Sequence, residues 1–169
     1  DLYFLHRDNP DVPVGEYVDC LNEHKRAGRI HAFGGSNWTI DRIEAANAYA
    51  DSHGLTRFAA SSAHFSLALW NEPMWPGCVS ATDDASRRWY RATGMPLFAW
   101  SSQASGFFTG RYRPEDANDP AVASVARTWF NDGNFARLAR ARQLGLPVRS
   151  GLLLSTEVVK NFEWERPAQ

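Results

Sequence analysis

Four short apolar runs, beginning near positions 2, 30, 57 and 96, constrain this chain more than any other feature. The runs are Leu2–Leu5, Ile30–Phe33, Arg57–Ala60 and Pro96–Trp100, and helical patterns lie between them at Val14–Ala27, Ile40–His53 and Asp84–Thr93. Strand and helix therefore alternate with a period of about 30 residues and one insertion. Strands that read as nearly continuous apolar runs imply a parallel sheet covered on both faces. A doubly wound sheet and part of a β/α barrel both satisfy the pattern. In either, ligands bind at the loops that leave the C-terminal strand ends.

The helices carry their own punctuation. Pro10 and Pro13 delay the first until Val14, because proline lacks a donor and restricts its predecessor. Val14, Val18, Leu21 and Cys20 are expected on its apolar side, with Gly28 as its left-handed cap. Thr39 is the expected N-cap of the second helix, which turns Ile40, Ile43, Ala46 and Ala50 inward and stops at Gly54. The insertion, Leu69–Val79, holds Pro73, Pro76, Gly77 and two tryptophans and reads as a lid-like or substrate-side loop. Gly94 stops the third helix. Beyond Tyr112 the pattern loosens. Arg113–Pro120 reads as a loop and Asn134–Leu144 as an amphipathic helix with Phe135, Leu138 and Ala139 or Ala141 inside. In Gly145–Gln169, Leu152–Leu154 is a candidate strand and Glu163–Gln169 a frayed tail.

At 169 residues the chain suits one domain, and it begins directly in a strand, as if cut from something longer. A formal net charge of -1 offers no attraction to nucleic acid or an anionic membrane. No apolar run is long enough for a membrane span, and a reduced cytoplasmic setting is the default expectation. The five histidines form no His-x-x-x-His pair, so no metal site is expected. Cys20 and Cys78 lack metal-type spacing, and Cys20 is expected as a buried free thiol. Seven tryptophans suggest either a well-filled core or a pocket that stacks on planar groups.

Three segments carry a resemblance. They are Asp1-Leu-Tyr-Phe-Leu-His6, Leu21 through Lys25-Arg-Ala-Gly-Arg-Ile-His-Ala-Phe-Gly-Gly-Ser-Asn37, and Pro96-Leu-Phe-Ala-Trp-Ser-Ser-Gln-Ala-Ser-Gly-Phe-Phe-Thr-Gly110. In this order and at these separations, residues 1–144 resemble the middle-to-C-terminal part of an aldo-keto reductase, while 145–169 diverge. That family is a group of NAD(P)H-dependent oxidoreductases built on a (β/α)8 barrel. The resemblance implies a partial TIM barrel, with the four runs as barrel strands four to seven.

It also implies roles. His6 would hydrogen-bond the substrate carbonyl beside a catalytic Tyr. Ser36 and Asn37 would bind the nicotinamide carboxamide, which needs both a donor and an acceptor. Trp100 would stack on the nicotinamide ring, and the loop through Ser101, Gln103, Gly106 and Arg111 would cradle the pyrophosphate. Phe65 and Trp70 are the candidate substrate contacts. NADP(H) is the expected cofactor, NAD(H) the second choice, and a small carbonyl compound the expected substrate. Ser62 stands where the family carries a nicotinamide-binding Gln, for which His64 or Gln103 would compensate. The family's Asp, Tyr and Lys fall before the first run, so the chain alone is expected to be inactive. A non-catalytic, cofactor-sensing subunit of the same family is the competing reading. Half a barrel leaves two open sheet edges, so self-association is expected.

Overall fold

A computed structural model of the chain describes residues 1–144. The readings placed on Leu152–Leu154 and Glu163–Gln169 lie outside the described residues. Three parallel strands, β1 (Leu2–Leu5), β2 (Ala32–Ser36) and β3 (Ala60–Ser62), pair in the order β1-β2-β3. Between them run α1 (Val14–Arg26) and α2 (Ile40–Ser52), which pack on each other and on the same side of the sheet. Strands added in sequence order, with crossovers of one hand, keep their helices on one face. A β/α barrel repeats that arrangement all round, and the half of a doubly wound sheet on one side of its switch point shares it.

The helix-side core joins Val18 and Leu21 of α1, Ile43, Ala46 and Ala50 of α2, and Phe33, Trp38 and Phe58. Cys20 does not belong to it. It lies about 200° around the helix from Val18 and is exposed, whereas Cys78 is the buried cysteine. The α1 terminus is a Schellman motif: Arg29 N–H donates to His24 O and Gly28 N–H to Lys25 O, with Gly28 at φ +70°. Thr39 caps α2 by accepting from the Arg42 N–H.

Both inner strands sit later than the apolar runs suggest. β2 begins at Ala32 rather than Ile30 and takes in Gly34, Gly35 and Ser36; β3 is Ala60–Ser62 rather than Arg57–Ala60. Apolarity marks burial, whereas pairing here follows small residues that let three backbones approach. Gly34 pairs with Phe4 and Ala60, and the Phe4 ring lies over it to meet Phe98 at 5.3 Å. The fourth expected strand, Pro96–Trp100, is an extended segment with isolated bridges, Ser61–Leu97 and His64–Trp100. His64 also pairs with Ser80, so the 63–65 stretch is shared between two neighbours.

Downstream, α3 (Asp84–Thr93) ends at Gly94 in the left-handed region. Two further helices follow. α4 (Ala123–Trp129) lies in a stretch without clear periodicity, and α5 (Asp132–Gln143) starts two residues before the predicted Asn134 because Asn131 caps it. Asn134, Leu138 and Ala141 are its buried face, while Ala139 is exposed. Among the described residues, no helix is long and apolar enough to cross a membrane.

Candidate functional site

The strands deliver their C-terminal ends to one rim. His6 leaves β1 there and is exposed. Ser36 ends β2, and Asn37 follows at φ +56°, a left-handed conformation that asparagine tolerates better than most residues. The Asn37 N–H donates to Ser62 O at 2.8 Å, tying the ends of β2 and β3. Its side-chain NH2 donates to Ser36 Oγ at 3.3 Å, and its carbonyl Oδ1 accepts the Val79 N–H at 3.2 Å. The pair predicted to grip a carboxamide is thus buried, with the amide oxygen engaged by the Leu69–Val79 loop.

Trp100 stands beyond the 63–65 stretch and is half-buried. Trp75 of that same loop stacks on it, with centroids 5.5 Å apart and planes 19° apart. The Arg7 guanidinium lies over Trp75 at 5.7 Å. Trp100 also meets His64 in a T-shaped contact at 5.5 Å, and His64 in turn packs on Trp70 at 5.4 Å and Trp129 at 4.9 Å. Five rings form one continuous cluster.

His64 is fully buried, and its Nδ1 lies 2.9 Å from Ser80 Oγ, which also reaches Thr82 Oγ1. Its Nε2 has no hydrogen-bond partner among the described residues, and neither have the Nε1–H donors of Trp75, Trp100 and Trp129 or the Gln103 Oε1. Burial among indoles pushes the His64 pKa down from 6.5 to about 4, so the ring is neutral at pH 7.

The exit loop turns tightly. Ser101, Ala104, Ser105, Gly106 and Gly110 all adopt positive φ, and Ser101 Oγ accepts the Ser105 N–H at 3.2 Å. In that turn the N–H groups of Ala104, Ser105, Phe107, Phe108, Thr109 and Gly110 all donate within the loop, so the group that can meet an anion is the Arg111 side chain. Arg111 lies against Gly106, where a Cβ would take the place of the guanidinium, and over the Tyr112 ring at 4.9 Å. The residues present therefore fit a planar ring joined to a phosphate: Trp100 offers an indole and Arg111 a guanidinium. Among the described residues, no group of three His, Cys, Asp or Glu side chains could hold a metal ion.

The two expected substrate contacts pack against the cores. Phe65 is buried with Ala63 and Ala81 and packed by Val79, Tyr90, Leu97 and Ala99. Trp70, partly buried, covers His64 and packs on the Phe107 and Trp129 cluster. Trp75 and Trp129 went unassigned in the sequence, although the count of seven tryptophans and the aromatic insertion carried the signal.

The profile of the aldo/keto reductase family matches residues 1–145. An uncharacterized oxidoreductase of Schizosaccharomyces pombe is 32% identical over 111 residues, covering 66% of this chain and 29% of its own length. An aldo-keto reductase of Fusarium vanettenii is 27% identical over 106 residues, covering 63% and 26%. Among solved structures, the glycerol dehydrogenase of Gluconobacter oxydans superposes with TM-score 0.54 at 16% identity, over 88% of this chain and 43% of that one. A putative 2,5-diketo-D-gluconic acid reductase B gives 0.51 at 22% identity, over 88% and 55%. These structural likenesses carry the fold, an incomplete α/β barrel. The chain spans under a third of the length of these two curated relatives.

Proposed function

The chain belongs to the aldo/keto reductase family, and on that premise we propose that it forms the cofactor-side part of a reductase. The parent protein would reduce an aldehyde, ketone or sugar carbonyl with NADP(H), NAD(H) being the second candidate. One observation carries this reading: His6 and Ser36–Asn37 stand at the C-terminal ends of neighbouring parallel strands, and Trp100 ends the extended segment bridged in parallel to the next, where a β/α barrel places its chemistry. When bound, the nicotinamide supplies the hydride. The chain's own residues then hold and orient. Trp100 offers one indole face, and Arg111 at the end of the 101–111 turn meets the phosphates. His6 is exposed at the rim, where a ring N–H can be aimed at a carbonyl oxygen to orient and polarise it.

The proton donor of this reading lies outside residues 1–169, so the chain alone is expected to show little turnover. Carbonyl-dependent NADPH oxidation by the purified chain checks this, and robust turnover would overturn the proposed division of labour. The outer edges of β1 and of the Pro96–Trp100 segment, with Tyr3 at 48% and Phe98 at 52% exposure, also support self-association. Sedimentation velocity of the same preparation is expected to show a dimer or larger species. A monodisperse monomer would speak against it.

A further inference from the structure

Resting on that cofactor reading, we propose that Trp75 is an intramolecular competitor for the cofactor ring and so sets its affinity. The Leu69–Val79 loop touches the assigned cofactor site at three places. Trp75 stacks on Trp100 at 5.5 Å, Asn37 Oδ1 accepts the Val79 N–H, and Ser105 Oγ–H of the 101–111 turn reaches Met74 Sδ at 3.9 Å. Arg7, the neighbour of His6, caps the Trp75 ring. A third ring cannot enter between two rings already in offset stacking contact. A planar ligand that takes this face of Trp100 must displace Trp75.

The loop is built for such a displacement. Its start is pinned: Asn71 N–H donates to Thr128 O, its side chain to Arg127 O and Phe130 O, and Asn131 and Asn134 both donate to Leu69 O. Its end is pinned by Asn37. Between these anchors the middle is a short turn, Cys78 N–H to Trp75 O, passing Gly77 at φ +78°. His64, on the other contact of Trp100, is fully buried and cannot yield in the same way. If the indole covers Trp100 nine-tenths of the time, the apparent dissociation constant is raised roughly tenfold.

The test measures NADPH binding calorimetrically to the wild-type chain, Trp75→Ala and Trp75→Leu. Circular dichroism of the stacked indole pair, taken as the wild-type minus Trp75→Ala difference, is followed alongside. Both variants are expected to bind NADPH roughly tenfold more tightly, and the wild-type pair signal to vanish as NADPH saturates. Equal or weaker binding by both variants, or a pair signal that survives saturation, overturns the competitor while leaving the cofactor site intact. No binding by any of the three chains overturns both readings. Far-UV spectra establish that each variant is folded, and Trp75→Leu stands in if Trp75→Ala is not.

Discussion

Gly34→Ala is expected to cost this chain more than any other single methyl group, upwards of about 3 kcal/mol. Gly34 lies in the middle strand, paired with β1 on one side and β3 on the other. A Cβ there would overlap the Ala60 carbonyl oxygen and stand 2.9 Å from both the Ala60 carbonyl carbon and Phe4 Cε1. Overpacking against side chains costs roughly 1–3 kcal/mol because the neighbours can rotate away. A strand backbone cannot rotate, and moving it breaks ladder bonds to β2. Domains of this size are stable by only about 5–15 kcal/mol, so the variant is expected to be largely unfolded or to lose the β2–β3 register. Either outcome displaces Ser36 and Asn37. Gly54→Ala is the contrasting control: unlike Gly34 it has positive φ, but nothing stands within 4 Å of its Cβ, so it pays only the backbone penalty of about 1–2 kcal/mol. Urea unfolding of the two variants decides, and equal midpoints would show that the close approach at Gly34 has no energetic weight.

The second large effect is a loss of stability in mild acid that traces to one residue. His64 is neutral in the folded chain, with its pKa lowered to about 4 by burial, while the unfolded chain titrates it near 6.5. Above 6.5 neither state binds the proton. As pH falls from about 6.5 to about 4, the unfolded state binds it and the folded state does not, so folding stability falls with pH across that window. Between pH 7 and about pH 4.5 the expected loss is about 2 kcal/mol. His64→Phe keeps a ring in the cluster and has no proton to bind. Its stability is expected to decline less over the same window, by that difference, in urea titrations at the two pH values. Parallel pH dependences for the two chains would place the acid sensitivity elsewhere, in the carboxylates.

Much of the fold was legible from the chain alone. Helix punctuation by Gly28, Thr39, Gly54 and Gly94 is local chemistry, set by φ and by one side-chain oxygen, and the structure carries it residue by residue. Strand limits were less legible. Burial of Ile30, Phe33 and Phe58 against the helices is visible in their apolarity, whereas pairing depends on which residues let another backbone come close. Those turned out to be Gly34, Gly35, Ala60 and Ser61. Barrel rather than doubly wound topology is carried by the likeness to solved barrels, since three strands in sequence order suit both. At the candidate site, the strand ends placed His6, Ser36 and Asn37 correctly on the rim. The side-chain partners were not readable. Asn37 accepting from Val79, 42 residues away, and Trp75 lying on Trp100 are contacts between segments with no periodic relation. Phe65 follows β3 closely, and its packing against Ala81, Tyr90 and Leu97 crosses segments in the same way.

The most direct measurement is tryptophan-sensitised emission of NADPH on titration into the purified chain, repeated with Trp100→Ala. A ring stacked on Trp100 is expected to give saturable sensitised emission in the wild type. In Trp100→Ala, both the emission and the binding measured by calorimetry are expected to fall by roughly tenfold or more, as for the loss of a stacking platform worth about 1–3 kcal/mol. Equal titrations for the two chains, or no saturable emission from either, would contradict a cofactor site at this rim.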